Sequence, residues 1–383
     1  MPFLPIAIVA ATLARTPAHA TEPEPALGKV SRRIDVHCQR GDLLERAIAR
    51  AARLGQVDIY LHGVCEGNFV IATDGITLWG ATSDSGLAAP DGGANRLPVL
   101  EVDDAQTELR GMVVRGGEVG VVAHGWNADV SLYEVDVSGQ IPGGGGVYAT
   151  RGAFVGLIGS TVRDGNVGIV ADSSSEINLQ SVVVKNLRLG VAVTGGSFAA
   201  FTDSTIANNS EGGLTVDYRS DANIFSTAFH DNGQVHINAG EWSEVNILSG
   251  VTLGSEGDTT PWSIGAIRGA TIASYSTPAI YGNVSVLDGG SIQFGNAVLT
   301  GNLELSQFAK IYVRSATITV IVFCADGSDA ICSSVTTGGV LGCPSTTCGP
   351  PLPGAGAIAP ALPSYPAIEV PRFDVPRRPR PPM

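Results

Sequence analysis

Positive charge is what this chain is shortest of. Its 383 residues carry 23 Lys and Arg against 36 Asp and Glu, a formal net charge of −13, and only 15% of the residues are charged at all. Phosphate recognition needs a basic footprint, and here only the extreme C-terminal stretch PRFDVPRRPRPPM is basic, which argues against a nucleic-acid partner. Long hydrophobic runs are scarce as well. The apolar stretch from Phe3 to Leu13 is too short to cross a bilayer and no other reaches that length, so no membrane span is expected. Glycine is plentiful, at 49 residues, and Val, Ile, Ser, Thr and Asn are frequent. That composition favours short strands and tight turns over long helices, and the expected class is all-β.

The N-terminal MPFLPIAIVAATLARTPAHA reads as a signal peptide over residues 1–20, with Ala18-His19-Ala20 as the cleavage site and a linker over 21–33. A secreted, periplasmic or cell-surface location follows. Six cysteines agree with an oxidising compartment: Cys38, Cys65, Cys324, Cys332, Cys343 and Cys348. His37-Cys38 and His62-x-x-Cys65 also supply zinc-ligand types, but neighbouring residues on a strand point to opposite faces, so a Cys38–Cys65 disulfide is the expected form. At the other end the expected pairs are Cys324–Cys332 and Cys343–Cys348.

Internal repetition is the strongest signal. GVVAHG (120–125), GVYATR (146–151), GIVADS (168–173), GVAVTG (190–195) and GLTVDY (213–218) recur every 22 to 26 residues, and QVHINA (234–239) continues them with Gln234 in the glycine's place. In step with them, Asp164, Asn186, Asn208 and Asp231 close alternating apolar segments. Such coils cannot bury an apolar face alone but form one core when stacked, which predicts a parallel β-solenoid of about eleven coils. Ahead of it, GDLLERAIARAARLG predicts a short capping α-helix over 42–54, with Asp42 as N-cap. The expected plan is a solenoid over 34–322, a disulfide-stapled cap over 323–348 and a Pro-rich disordered tail over 349–383.

The opening I-x-L-x-G-x-C-x-x-N-F-x-I-x-x-D-G-I-T-L-x-G, after a cysteine-ended strand and a GD-initiated helix, resembles exported proteins of the pectin-lyase-like superfamily. The resemblance implies a right-handed parallel β-helix. It does not select a reaction, because the catalytic boxes of the superfamily's lyases, hydrolases and epimerases are not found in this sequence.

If the strand positions beside the repeated glycine point inward, the alternate ones point out. One exposed column is then Val122, Tyr148, Val170, Ala192, Thr215 and His236, and a second is His124, Thr150, Asp172, Thr194, Asp217 and Asn238. The candidate catalytic residues are Asp172, Asp217 and His236. Tyr148, Arg151, Arg219 and His124 are candidate substrate-binding residues, since aromatic faces and guanidinium forks suit sugar rings and uronate carboxylates. No metal site and no cofactor is expected, because calcium at Asp217, Asp221 and Asn223 has no supporting loop spacing. The favoured function is binding of a polysaccharide or cell-surface glycan by a monomer, without turnover. The alternative is a divergent polysaccharide lyase or glycoside hydrolase acting near Asp172 and Asp217.

Overall fold

The computed structural model describes residues 32–343, apart from 91–95, 259, 277, 319–321, 326, 334, 338–339 and 342. The expected signal segment, most of the linker, Cys348 and the C-terminal tail therefore lie outside the described residues.

A typical coil makes three short strands, as in Glu176–Gln180, Val183–Lys185 and Leu189–Val193. Alternation decides the burial: Ile177, Leu179, Val184, Val191 and Val193 are fully buried, while Glu176, Asn178 and Gln180 face solvent. All pairings are parallel and link equivalent positions of successive coils, so that Glu176 lies beside Phe198 and Phe198 beside Asp221. The first two strands of each coil join a 25-stranded sheet and the third joins a 13-stranded sheet. Thirteen strands make about twelve turns, one more than the spacing predicted. One continuous core runs from Val36 to Cys332.

The corners explain the polar repeats. Asp164, Asn186, Asn208 and Asp231 are all left-handed, at φ 59°, 57°, 55° and 53°. Asn and Asp tolerate that geometry best among non-glycine residues, and Asn186 Nδ2 also donates to Asp164 Oδ1 at 3.2 Å. Deeper in the same corner the side-chain oxygen of Asn232 accepts from the backbone N–H of Asn209 at 3.3 Å and from its side-chain amide at 2.9 Å. Ser175, Ser197, Ser220 and Ser243 form a second buried ladder, in which each backbone N–H donates to the next hydroxyl at 3.1 to 3.3 Å. These side chains satisfy backbone groups that the turns leave without strand partners.

Both ends differ from expectation. Helix α1 spans Leu44–Ala51 and buries Leu44, Ala47, Ile48 and Ala51, but its N-cap is Leu43. Asp42 does not cap it; its carboxylate accepts the backbone N–H of His37 at 2.9 Å. At the C-terminal end the coils continue through the stretch assigned to a separate cap, with strands at Val322–Cys324, Asp329–Cys332, Val335–Thr337 and Val340–Leu341. Cys38 and Cys65 are bonded as expected, whereas Cys324 is bonded to Cys343 and not to Cys332. The coil period is the reason. Nineteen residues separate Cys324 from Cys343, about one coil, which stacks their sulfurs, while Cys332 ends a strand of the other sheet and forms a disulfide of its own.

Candidate functional site

The 13-stranded sheet carries the predicted site, with one change of register. Glu101, Val122, Tyr148, Val170, Ala192, Thr215 and Asn238 form one outward column. Expected to be exposed, it is buried: Val122, Ala192 and Thr215 are 0% accessible and Tyr148 5%. Tyr148 therefore presents no ring face to a sugar. Its hydroxyl donates to Asp172 Oδ2 at 3.1 Å, and burial together with that carboxylate pushes its pKa well above the ordinary phenol value. Asp172 and Asp217 end equivalent strands two coils apart with Thr194 between them. At ~4.8 Å per coil their backbones stand about 9.6 Å apart, outside the spacing of a retaining carboxylate pair. Asp217 is half-buried, which pushes its pKa upward.

His236 leaves the site altogether. His236, not Gln234, continues the glycine series: Val235 pairs with Gly212, so His236 falls into the column of Gly120, Gly146, Gly168, Gly190 and Gly213. That column points into the corner between the sheets, where a Cβ at Gly190 would stand 2.5 Å from the backbone oxygen of Gly213. A histidine fits because the next coil is longer and its loop brings Asp258 to 3.2 Å from His236 Nε2. Both side chains are sealed from solvent. Burial alone would raise Asp258, but His236, Thr260 and the Asp231 N–H hold its carboxyl well below the usual range.

His124 stands in a half-buried acidic cluster. Its Nε2 lies 2.9 Å from Glu101 Oε1 and its Nδ1 3.4 Å from Asp103 Oδ1, and the bond to Glu101 raises its pKa. That pairing occupies both ring nitrogens. Among the described residues no three His, Cys, Asp or Glu side chains form a group that could hold a metal ion.

Arg151 and Arg219 point to a different surface, the turn after each strand of the 13-stranded sheet. Here two consecutive residues are left-handed: Ser173 and Ser174 in one coil, Gly195 and Gly196 in the next, then Tyr218 and Arg219, then Glu241 and Trp242. Glycine would hold this turn without strain, yet Arg151, Tyr218, Arg219, Trp242 and Phe308 adopt it at φ 51° to 64°. Trp126, Trp242 and Phe308 remain 77%, 73% and 73% exposed. Each ring lies over a glycine of the following coil, Gly152, Gly269 and Gly327. A Cβ at Gly269 would meet the Trp242 ring at 2.9 Å, so glycine keeps the platform seated. At ~4.8 Å per coil, Trp126 and Trp242 are about 24 Å apart and Phe308 about 14 Å further on. The repeat spacing locates this turn and its arginines, but Trp126 and Trp242 fall just past the repeated segments and carry no periodic signal.

Residues 104–257 match the family model described as "Right handed beta helix region". The chain is a right-handed parallel β-helix. Among solved structures this β-helix is similar to the A-module of the mannuronan C-5 epimerase AlgE4 from Azotobacter vinelandii, at 15% identity and a TM-score of 0.49 over 76% of this chain and 90% of that one. It is also similar to the Agl-KA catalytic domain, at 13% identity and 0.38 over 79% and 65%. A third likeness is to an endo-xylogalacturonan hydrolase from Aspergillus tubingensis, at 13% and 0.29 over 84% and 100%. No curated protein matches this β-helix by sequence.

Proposed function

We propose that the protein binds a polysaccharide or cell-surface glycan, without turnover, along the turn that carries Trp126, Arg151, Tyr218, Arg219, Trp242 and Phe308. The observation that carries this reading is the placement of the exposed Tyr218, Trp242 and Phe308 at left-handed positions where neighbouring coils use glycine, with the exposed Trp126 in the same turn beside the left-handed Gly125. Strain of about 1 kcal/mol or more per residue persists where an outward side chain has a use, and flat exposed rings suit the apolar faces of pyranoses. The two guanidinium groups would bond ring hydroxyls or uronate carboxylates. The buried Tyr148, the displaced His236 and the separation of Asp172 from Asp217 all weigh against turnover in the groove. A glycan ligand and the disulfides agree with a location outside the cytosol.

The test is titration of the full chain against a panel of neutral and uronate-containing polysaccharides, with new reducing ends and unsaturated uronates followed in parallel. Trp126→Ala and Trp242→Ala should each weaken binding by about tenfold. Unchanged affinity in the double variant would refute the platform. Turnover abolished by Asp172→Asn in a folded protein would favour the lyase or hydrolase reading instead.

A further inference from the structure

The outer faces of the two sheets are treated unequally. On the 25-stranded sheet the outward Glu176, Asn178 and Gln180 are open to solvent. On the 13-stranded sheet the outward residues from Val122 to Ala192 are mainly apolar, and they are closed off. Val119, Val122, Val167, Val170, Leu189 and Ala192 form an apolar cluster separate from the main core, with accessibilities of 0 to 3%. Further along the same face, Thr215, Ser285 and Trp262 are 0%, 0% and 1% accessible. Strands stacked ~4.8 Å apart shield one another's sides but leave their outward tips open, so burial this complete requires chain lying across the face. Among the described strands and helices, those that meet this sheet do so within it or at its edges.

We propose that this face is the docking surface of the protein's own C-terminal segment, residues 349–383, laid along the solenoid as a strap. Three observations favour that occupant. The chain leaves the described fold from this sheet: Val340–Leu341 is its last strand, at its C-terminal end. Length suffices, because a Pro-rich segment at ~3.1 Å per residue spans about 110 Å, whereas the nine steps from Leu303–Leu305 to Leu100–Asp103 cover about 43 Å. Composition also fits. Ile358, Leu362, Tyr365, Ile368 and Phe373 supply apolar side chains, and the prolines among them lack N–H groups that a dry face would leave unpaired. Beyond them Arg377, Arg378 and Arg380 would reach the acidic far end of the face, where Glu101 and Asp103 stand. Such a strap would close the groove over Tyr148 and leave the aromatic turn free, so the glycan reading above stands or falls separately.

The experiment places the photo-cross-linker p-benzoylphenylalanine at Tyr365 in the full chain, a change outside the solenoid that keeps an aromatic ring. Irradiation of protein with wild-type circular dichroism is followed by peptide mass spectrometry. Cross-links within one chain to peptides holding Val122, Val170, Ala192 or Thr215 are expected. Cross-links to the 25-stranded sheet, to a second copy of the chain, or none at all would overturn the strap. A second probe at Thr215 identifies the cover directly: capture of residues 349–383 supports the proposal, and capture of residues 1–31 refutes it.

Discussion

At the scale of single residues, the repeat is enforced by what cannot be enlarged and what cannot be left unpaired. Gly190 faces a backbone oxygen that a Cβ would approach to 2.5 Å, and neither coil can retreat without breaking a ladder. Gly190→Ala should cost about 2–3 kcal/mol, read as a lower urea midpoint at unchanged m-value. Asn232 is fully buried, accepts from Asn209 and donates to the Ile206 carbonyl at 3.0 Å. Asn232→Ala would leave these groups unmatched and should destabilise by about 2–3 kcal/mol, measured by the same titration. His124 gives the pH dependence its sign. Its folded pKa is raised by Glu101, so the stabilisation it provides is fully present below the ordinary imidazole value of 6.5 and is lost as pH rises through the elevated one. The Tm difference between wild type and His124→Gln should therefore be largest below about pH 6.5 and shrink in alkaline buffer.

Elements behave as stacked layers whose ends need separate protection. The Cys324–Cys343 bridge closes a loop of 19 residues, for which chain entropy suggests about 3 kcal/mol. In a solenoid that loss stays local, because each coil touches only its neighbours. Hydrogen exchange of a Cys324→Ser, Cys343→Ser variant should accelerate in Lys310–Ile318 and Asp329–Cys332 and stay unchanged in Leu189–Val193. Near the opposite end, an outer ladder shows how a row of side chains can be read wrongly from sequence. Tyr60, Trp79, Arg110 and Tyr133 occupy successive coils, with the Tyr60 and Trp79 rings stacked and Arg110 lying 4.0 Å from the Tyr133 ring centroid. Read along the sequence they are unrelated aromatic and basic residues; in register they are one stacked column.

For the whole molecule, the net charge of −13 sets the background against which any glycan binds. A polyuronate meets repulsion from the protein as a whole, while a neutral chain does not. Raising salt from about 20 to 200 mM should thus change affinity for a neutral glycan by less than about twofold and strengthen binding of an acidic one. Strand alternation, coil length and the polar corners were legible in the sequence, because each is a local demand repeated every 22 or 23 residues: apolar in, glycine at the tight corner, Asn or Asp at the left-handed turn. Cys38–Cys65 was legible from cysteine usage and from the strand geometry that disfavours a shared zinc. Register around the longer coil was not, since Gln234 mimics the expected spacing while the distant Asp258 makes room for His236. Burial of the outer groove was equally hidden, because no periodic signal records what lies across a face. The turn aromatics were missed in the sequence, since Trp126 and Trp242 lie just past the repeated segments, and only the stacked coils brought these residues, more than a hundred positions apart, onto one edge. Composition and period determined the solenoid by themselves, whereas contacts between residues in different coils, which follow no period, decided which side chains face solvent together.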